Sequence, residues 1–323
     1  MSEFFSTLAF LVQQMWFFSI PLLIVALGGM FSERSGVVNI ALEGIMVIGA
    51  FCSILFINMM QGSMSGQPLL LCAILVAAVS GALFSLLHAY AAINLRSDQT
   101  ISGTALNMFA PACAIYVARM IQTNHVQQVA FVNTFRLASV PLLGNIPIVG
   151  PLFFQNAYIT TYIGLAILAA STFVLYRTRF GLRLRACGEH PQAADSVGIN
   201  VYRIRYAGVM ISGALAGLGG LVFVVPTSTN FNATVSGYGF LALAVLIFGQ
   251  WRPMRILLAA LFFGLMKTIS AAYSGIPILK DLPIPSDVYK MIPYIATLVV
   301  LAFTSKRSQA PRASGEPYDR GGR

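Results

Sequence analysis

The stretch Arg34–Phe51, RSGVVNIALEGIMVIGAF, holds one acid, Glu43, and one amide, Asn39, in a run that is otherwise mostly apolar or small. What those two side chains do depends on the surrounding solvent. The 323 residues are 57% hydrophobic and 9% charged, whereas a soluble domain carries about 25% charged residues. Apolar runs of roughly 20 residues recur along the chain, each long enough to span a hydrocarbon core about 30 Å thick. The fold class that follows is all-α, a polytopic transmembrane helical bundle. The net charge of +10 lies mainly in short links between apolar runs. That placement is a topology signal rather than a nucleic-acid surface.

Nine apolar segments can be drawn, at 8–30, 36–57, 69–93, 99–121, 156–176, 206–226, 238–250, 254–273 and 288–304. The N-terminus has no basic n-region or small-residue cleavage site, so Leu8–Met30 reads as a retained helix. The link 177–205 and the tail from Lys306 are rich in arginine and lysine, which places both in the cytoplasm. Alternation then puts the N-terminus outside, together with Asn58–Pro68 and Gln122–Asn156. Segment 238–250 is short for a straight span, and an upstream extension through Phe231 would lengthen it. The expected organisation is a membrane domain over 1–304 with a cytoplasmic loop at 177–205, followed by a disordered tail over 305–323.

In a helix from residue 36, Gly36, Asn39, Glu43 and Ala50 share one face, which should turn toward protein or a water-filled cavity. A carboxylate in hydrocarbon costs several kcal/mol or more, so Glu43 needs a partner or water. It either pins neighbouring helices or lines a pathway, and both readings stand. In the fourth segment Ser97 or Asp98 can cap the helix start. Pro111 removes the hydrogen bond to the Asn107 carbonyl, leaving either a packing kink or a broken helix at membrane depth. Asn39, Glu43 and Asn107 are the candidates for a polar pathway lining. Gly213 and Gly217 form a GxxxG spacing suited to close helix packing. Lys267 reads as a snorkelling cation. His88, His125 and His190 are scattered, and the four cysteines lack CxxC spacing, so no metal site is expected.

The loop RACGEHPQAADSVGINVYRIR offers Pro191 as a first helical residue and Gly198 as a terminator. The intervening helix is too short to be stable alone and needs a docking partner. Ala193, Ala194 and Val197 would make its small apolar face.

The opening stretch, together with CGEHPQAADSVGINVYRIRYAGVMISGALAGLGG, resembles the ABC-transporter permeases of the ribose, branched-chain amino acid and nucleoside type. Within that family the NIALEG wording looks most like the smaller permease of bacterial purine-nucleoside importers. The resemblance implies a multi-pass protein of the bacterial inner membrane that moves a small polar solute, a nucleoside or else a simple sugar such as ribose. It also implies that Gly188, Glu189, His190, Pro191, Ala193, Ala194, Asp195, Val197 and Gly198 form the loop that couples to an ATPase subunit. The chain has no GxxxxGK[ST] loop, so ATP and magnesium would be held by that separate subunit. A second permease, related or identical, would complete the pore. An extracytoplasmic substrate-binding protein, a lipoprotein in the nucleoside group, would deliver the solute. An ion-coupled secondary transporter would share the buried carboxylate but would need no docking helix. No GxSxG, HExxH or paired-aspartate arrangement points to an enzyme.

Overall fold

Long apolar runs need internal partners for their backbone, so the chain is built of helices laid side by side. The computed structural model describes residues 2–122, 126–140, 144, 146, 149–273, 285–304 and 310–319. The helices are α1 (Ser2–Arg34), α2 (Leu42–Met60), α3 (Gln67–Ala89, prolonged by a π turn at Tyr90–Asn94) and α4 (Gln99–Ile121). They continue as α5 (Ile159–Arg177), α6 (Arg179–Glu189), α7 (Pro191–Ser196) and α8 (Val201–Thr227). The series closes with α9 (Tyr238–Phe248), α10 (Pro253–Ala272) and α11 (Ser286–Thr304). Among the described residues seven helices are long and apolar enough to cross a membrane: α1, α2, α3 with its π turn, α4, α5, α8 and α10.

Helix α8 is the hub of the bundle and packs on α1, α2 and α3. Of its apolar stretch 78% is buried, against 22% for α4, which lies at the periphery. Glycines allow the tightest crossings. A Cβ on Gly217 would run into the Ala77 carbonyl and Gly81 on α3, and one on Gly49 of α2 would run into Gly217. Small residues at these points bring three helix backbones into direct contact.

Links collect on two opposite faces. On one face Arg34 donates to the Trp251 carbonyl at 3.2 Å and pairs with Glu189 at 3.7 Å. Arg96 on the same face reaches Asp319. On the other, β1 (Val129–Ala130) pairs with β4 (Asn230–Phe231), and β2 (Arg136–Ser139) pairs with β3 (Gln155–Tyr158), both antiparallel. Asn58 and Gln67 donate there to the carbonyls of Ala130 and Phe135.

Three expectations are corrected by the fold, and one open alternative is resolved. Residues 35–41 are not helical, Gly36 having φ +95°, so α2 starts only at Leu42 and Gly36 and Asn39 share no helical face with Glu43. Of the two readings left open at Pro111, the break is absent: α4 runs through it, and Asp98, one of the two expected caps, accepts from Thr100 and Ile101 at 2.8 and 2.9 Å. Residues 232–237 ahead of α9 are irregular rather than an upstream helical extension. Residues 310–319, expected to be disordered, lie packed on the protein with Ala313 and Tyr318 buried. Backbone hydrogen bonds to Gly188 and Gly36 and a buried tyrosine ring hold this segment, which its Gly/Pro content disguises. The rest of the tail, and His125, lie outside the described residues.

Candidate functional site

The non-helical run 37–41 enters the bundle without a helix of its own, so its backbone polar groups need other partners. Side chains supply them. The Val38 amide donates to Gln99 Oε1 at 2.7 Å, and the Val38 carbonyl lies 2.9 Å from His88 Nε2. The Ile40 carbonyl accepts from Asn107 Nδ2 at 2.8 Å, and the Val37 carbonyl accepts from Ser32 Oγ at 2.7 Å. His88 is oriented by Ser102 Oγ, 2.9 Å from Nδ1. It therefore helps to close the backbone of this non-helical segment.

Helix α2 begins midway through the bundle. Asn39, fully buried, donates to Ser212 Oγ at 2.9 Å. Ser212 lies near the middle of α8, about 16 Å along the axis from Val201 at 1.5 Å per residue. The first turn of α2 is tied to α4 by Asn107 Oδ1, which accepts from the Gly44 amide at 2.7 Å. It is tied to α9 by Glu43, whose Oε1 accepts from the Gly237 amide at 2.9 Å and Oε2 from the Gly239 amide at 2.6 Å. The carboxylate thus occupies the start of a second interrupted helix, where free N–H groups and the helix dipole favour negative charge.

Two discontinuous segments, one from each face, therefore meet inside the bundle: 35–41 leading to α2, and 232–237 leading to α9. Sequence reasoning singled out Asn39, Glu43 and Asn107, and all three flank the start of α2. Asn39 reaches α8 and Glu43 reaches α9, whereas Asn107, on α4, reaches back to Ile40 and Gly44. A cavity of about 390 Å³ opens beside the start of α9, with Gly237, Tyr238, Lys267 and Tyr294 in its wall. Glu43 is not in that wall; it fixes the backbone that is. Lys267 Nζ sits 5.8 Å from the Tyr238 ring centroid, a cation–π distance, so its charge faces the cavity and not only the outer interface. Gly237, Tyr238 and Gly239 were missed. The signal was the Ser236–Gly239 sequence, SGYG, just ahead of a segment too short to span.

The loop 177–205 forms α6 and α7. On α7 and just beyond it Ala193 and Val197 are exposed, but Ala194 is buried in a cluster that includes Cys187, Val201 and Tyr318. The expected apolar face is thus split, with Ala194 turned into this chain. Among the described residues no three His, Cys, Asp or Glu side chains converge as metal ligands would.

The family model for the branched-chain amino acid transport system / permease component matches residues 11–301. The chain belongs to that permease family. The permease is 47% identical over 312 residues to the guanosine ABC transporter permease protein NupQ of Bacillus subtilis, covering 95% of each chain. It is 43% identical to the nucleoside ABC transporter permease protein NupC of Lactococcus lactis, over 97% of this chain and 98% of that one. A putative glucose ABC transporter permease protein of Haloferax volcanii is 30% identical over 90% of each. The permease is a multi-pass inner-membrane subunit of the bacterial ABC type, working with ATPase and substrate-binding components. ATP chemistry in this family belongs to the partner ATPase.

Proposed function

We propose that the permease forms part of the path by which an importer moves nucleosides into the cytoplasm. The observation that carries the substrate class is the near full-length match to two permeases named for guanosine and nucleoside transport. A sugar is the second reading, favoured by the relative named for glucose at lower identity. On this reading nine segments cross, α9 and α11 included, with the N-terminus outside and the 177–205 face in the cytoplasm. The arginines at 177, 179, 183, 185, 203 and 205 all belong to that face.

Interrupted helices meeting near the midplane are how many transporters build a solute site. Here the meeting of the α2 and α9 starts, with the cavity beside it, is the assigned pathway region. Asn39, Glu43 and Asn107 act on it as positioning groups: Glu43 and Asn107 are engaged by backbone through both polar atoms and Asn39 through Nδ2, its buried Oδ1 having no partner. The exposed side of α7, through Ala193 and Val197, docks into the ATPase subunit. A second permease, related or identical, faces this one across the pore, and a lipoprotein presents the solute outside. ATP-driven closure shifts the pair between access states, and solute biases that equilibrium only through unequal affinity for the states.

The test is uptake of tritiated guanosine by the reconstituted importer, with unlabelled adenosine, ribose, glucose and leucine as competitors. Competition by adenosine alone supports the nucleoside reading. Competition by glucose or ribose with none by adenosine overturns it.

A further inference from the structure

Residues 310–319 cross the face that carries α7 and touch four parts of the chain. The Ala313 amide donates to the Gly188 carbonyl at the end of α6 at 2.9 Å. The Gly315 amide donates to the Gly36 carbonyl at 3.2 Å, at the start of the non-helical run 35–41. Arg205 Nη1, in the first turns of α8, donates to the Glu316 carbonyl at 3.0 Å. Arg96 holds Asp319 through paired bonds of 3.0 and 2.9 Å.

Tyr318 is the centre of this contact. Its ring is buried with Cys187, Ala194 and Val201, meets Tyr202 edge-on at 5.5 Å, and lies 5.8 Å from the Arg205 guanidinium. Arg205 is itself buried, and its Nε and Nη2 have no hydrogen-bond partner. The tail therefore supplies a carbonyl and a π face to a desolvated cation, and losing both would leave that cation poorly paired. The Arg96–Asp319 pair is half exposed and contributes little by comparison.

Helix α7 has six residues, too few to hold a helix by itself. Its position is set by what its buried side packs into, and Ala194 belongs to the same buried cluster as Tyr318. We propose that residues 310–319 are a strap that carries displacement of α7 to the 35–41 run and to α8, with Tyr318 as its positioning residue. A push on α7 moves Ala194 against Tyr318, and the strap's bonds at Gly36 and Arg205 pass the movement to the two segments bordering the pathway. This rests on α7 being the docking helix, as proposed above.

The complete importer is reconstituted with Cys187 as its only cysteine. Burial holds this thiol up to about 11, so it stays protonated and slow to react while the strap is in place. Tyr318→Ala should raise N-ethylmaleimide labelling of Cys187 about tenfold, as expected when local closure weakens by about 1.4 kcal/mol. The same variant should raise ATP hydrolysed per guanosine imported several-fold while the ATPase rate without solute is unchanged. Tyr318→Phe, which keeps the ring, should restore both. If Tyr318→Ala fails to assemble, Tyr318→Leu keeps an apolar side chain in the cluster without a π face and should shift both readouts in the same direction by less. Cys187 opening with an unchanged ATP-to-solute ratio would overturn the strap, as would a Phe variant that behaves like Ala. A parallel Ala193→Arg variant separates the premise. Normal coupling in Ala193→Arg removes α7 as the docking element, whereas its loss beside an unaffected Tyr318→Ala condemns the strap alone.

Discussion

Glu43 accepts from two backbone amides at the start of α9, so each substitution has a definite geometric cost. Glu43→Gln keeps one acceptor oxygen and turns a donor toward an amide. Glu43→Leu leaves both N–H groups bare, at about 1–3 kcal/mol for each buried unsatisfied group. Guanosine uptake and the melting temperature of the purified complex should both fall, more in Leu than in Gln. Unchanged melting and uptake in Glu43→Leu would free α9 from this anchor. At α7 the exposed and buried alanines part company: Ala194→Arg should lower yield and melting temperature by forcing a charge into the Cys187–Tyr318 cluster. Ala193→Arg should leave both intact and cut uptake, measured on equal amounts of assembled complex. Polarity inside an apolar run was enough to single out Asn39, Glu43 and Asn107 from sequence. What each one holds was hidden, because Ser212 is 173 positions from Asn39 and Gly237 is 194 from Glu43.

Helix positions were legible where length and hydropathy carry the signal, and they failed where backbone is satisfied by side chains. The run 35–41 reads as helical in pattern, yet Gln99, His88 and Asn107 make a non-helical path affordable. At Pro111 the sequence left a packing kink and a break both open, and α4 runs through without a break at the periphery of the bundle. The GxxxG spacing pointed to close packing, while its partner glycines, Gly81 and Gly49, lie on helices that the sequence does not align with α8. Gly217→Leu should therefore separate α3, α2 and α8, with overpacking costs of about 1–3 kcal/mol or more. The expected result is normal membrane insertion with a clearly lowered melting temperature. A variant that melts like the parent would mean these crossings are looser than the structure has them.

At the scale of the whole molecule, sidedness is the property still carried by charge placement. Arg34, Glu189, Arg96 and Asp319 share one face with α7, so one pair of reporters decides it. Val132 and Val197 are 62% and 74% exposed, on opposite faces, and suit cysteine introduction in a chain lacking its native thiols. In sealed cells an impermeant maleimide should label Val132→Cys and spare Val197→Cys; the reverse pattern overturns the orientation. Cys187 is a poor reporter of side, being buried whichever way the chain inserts.

The side-chain closure of the non-helical run also bears on assembly during synthesis. The partners of Val38 lie 50 and 61 positions downstream, and that of Ile40 lies 67 downstream. At roughly 5–20 residues per second, a nascent chain waits on the order of 3–13 s between making these amides and carbonyls and making what binds them. Through that interval the run must stay in water or inside the insertion machinery, since lipid would leave its polar groups bare. The polar groups of this run are closed only after α3 and α4 have emerged, and Asn39 and Glu43 wait longer still, for α8 and the start of α9.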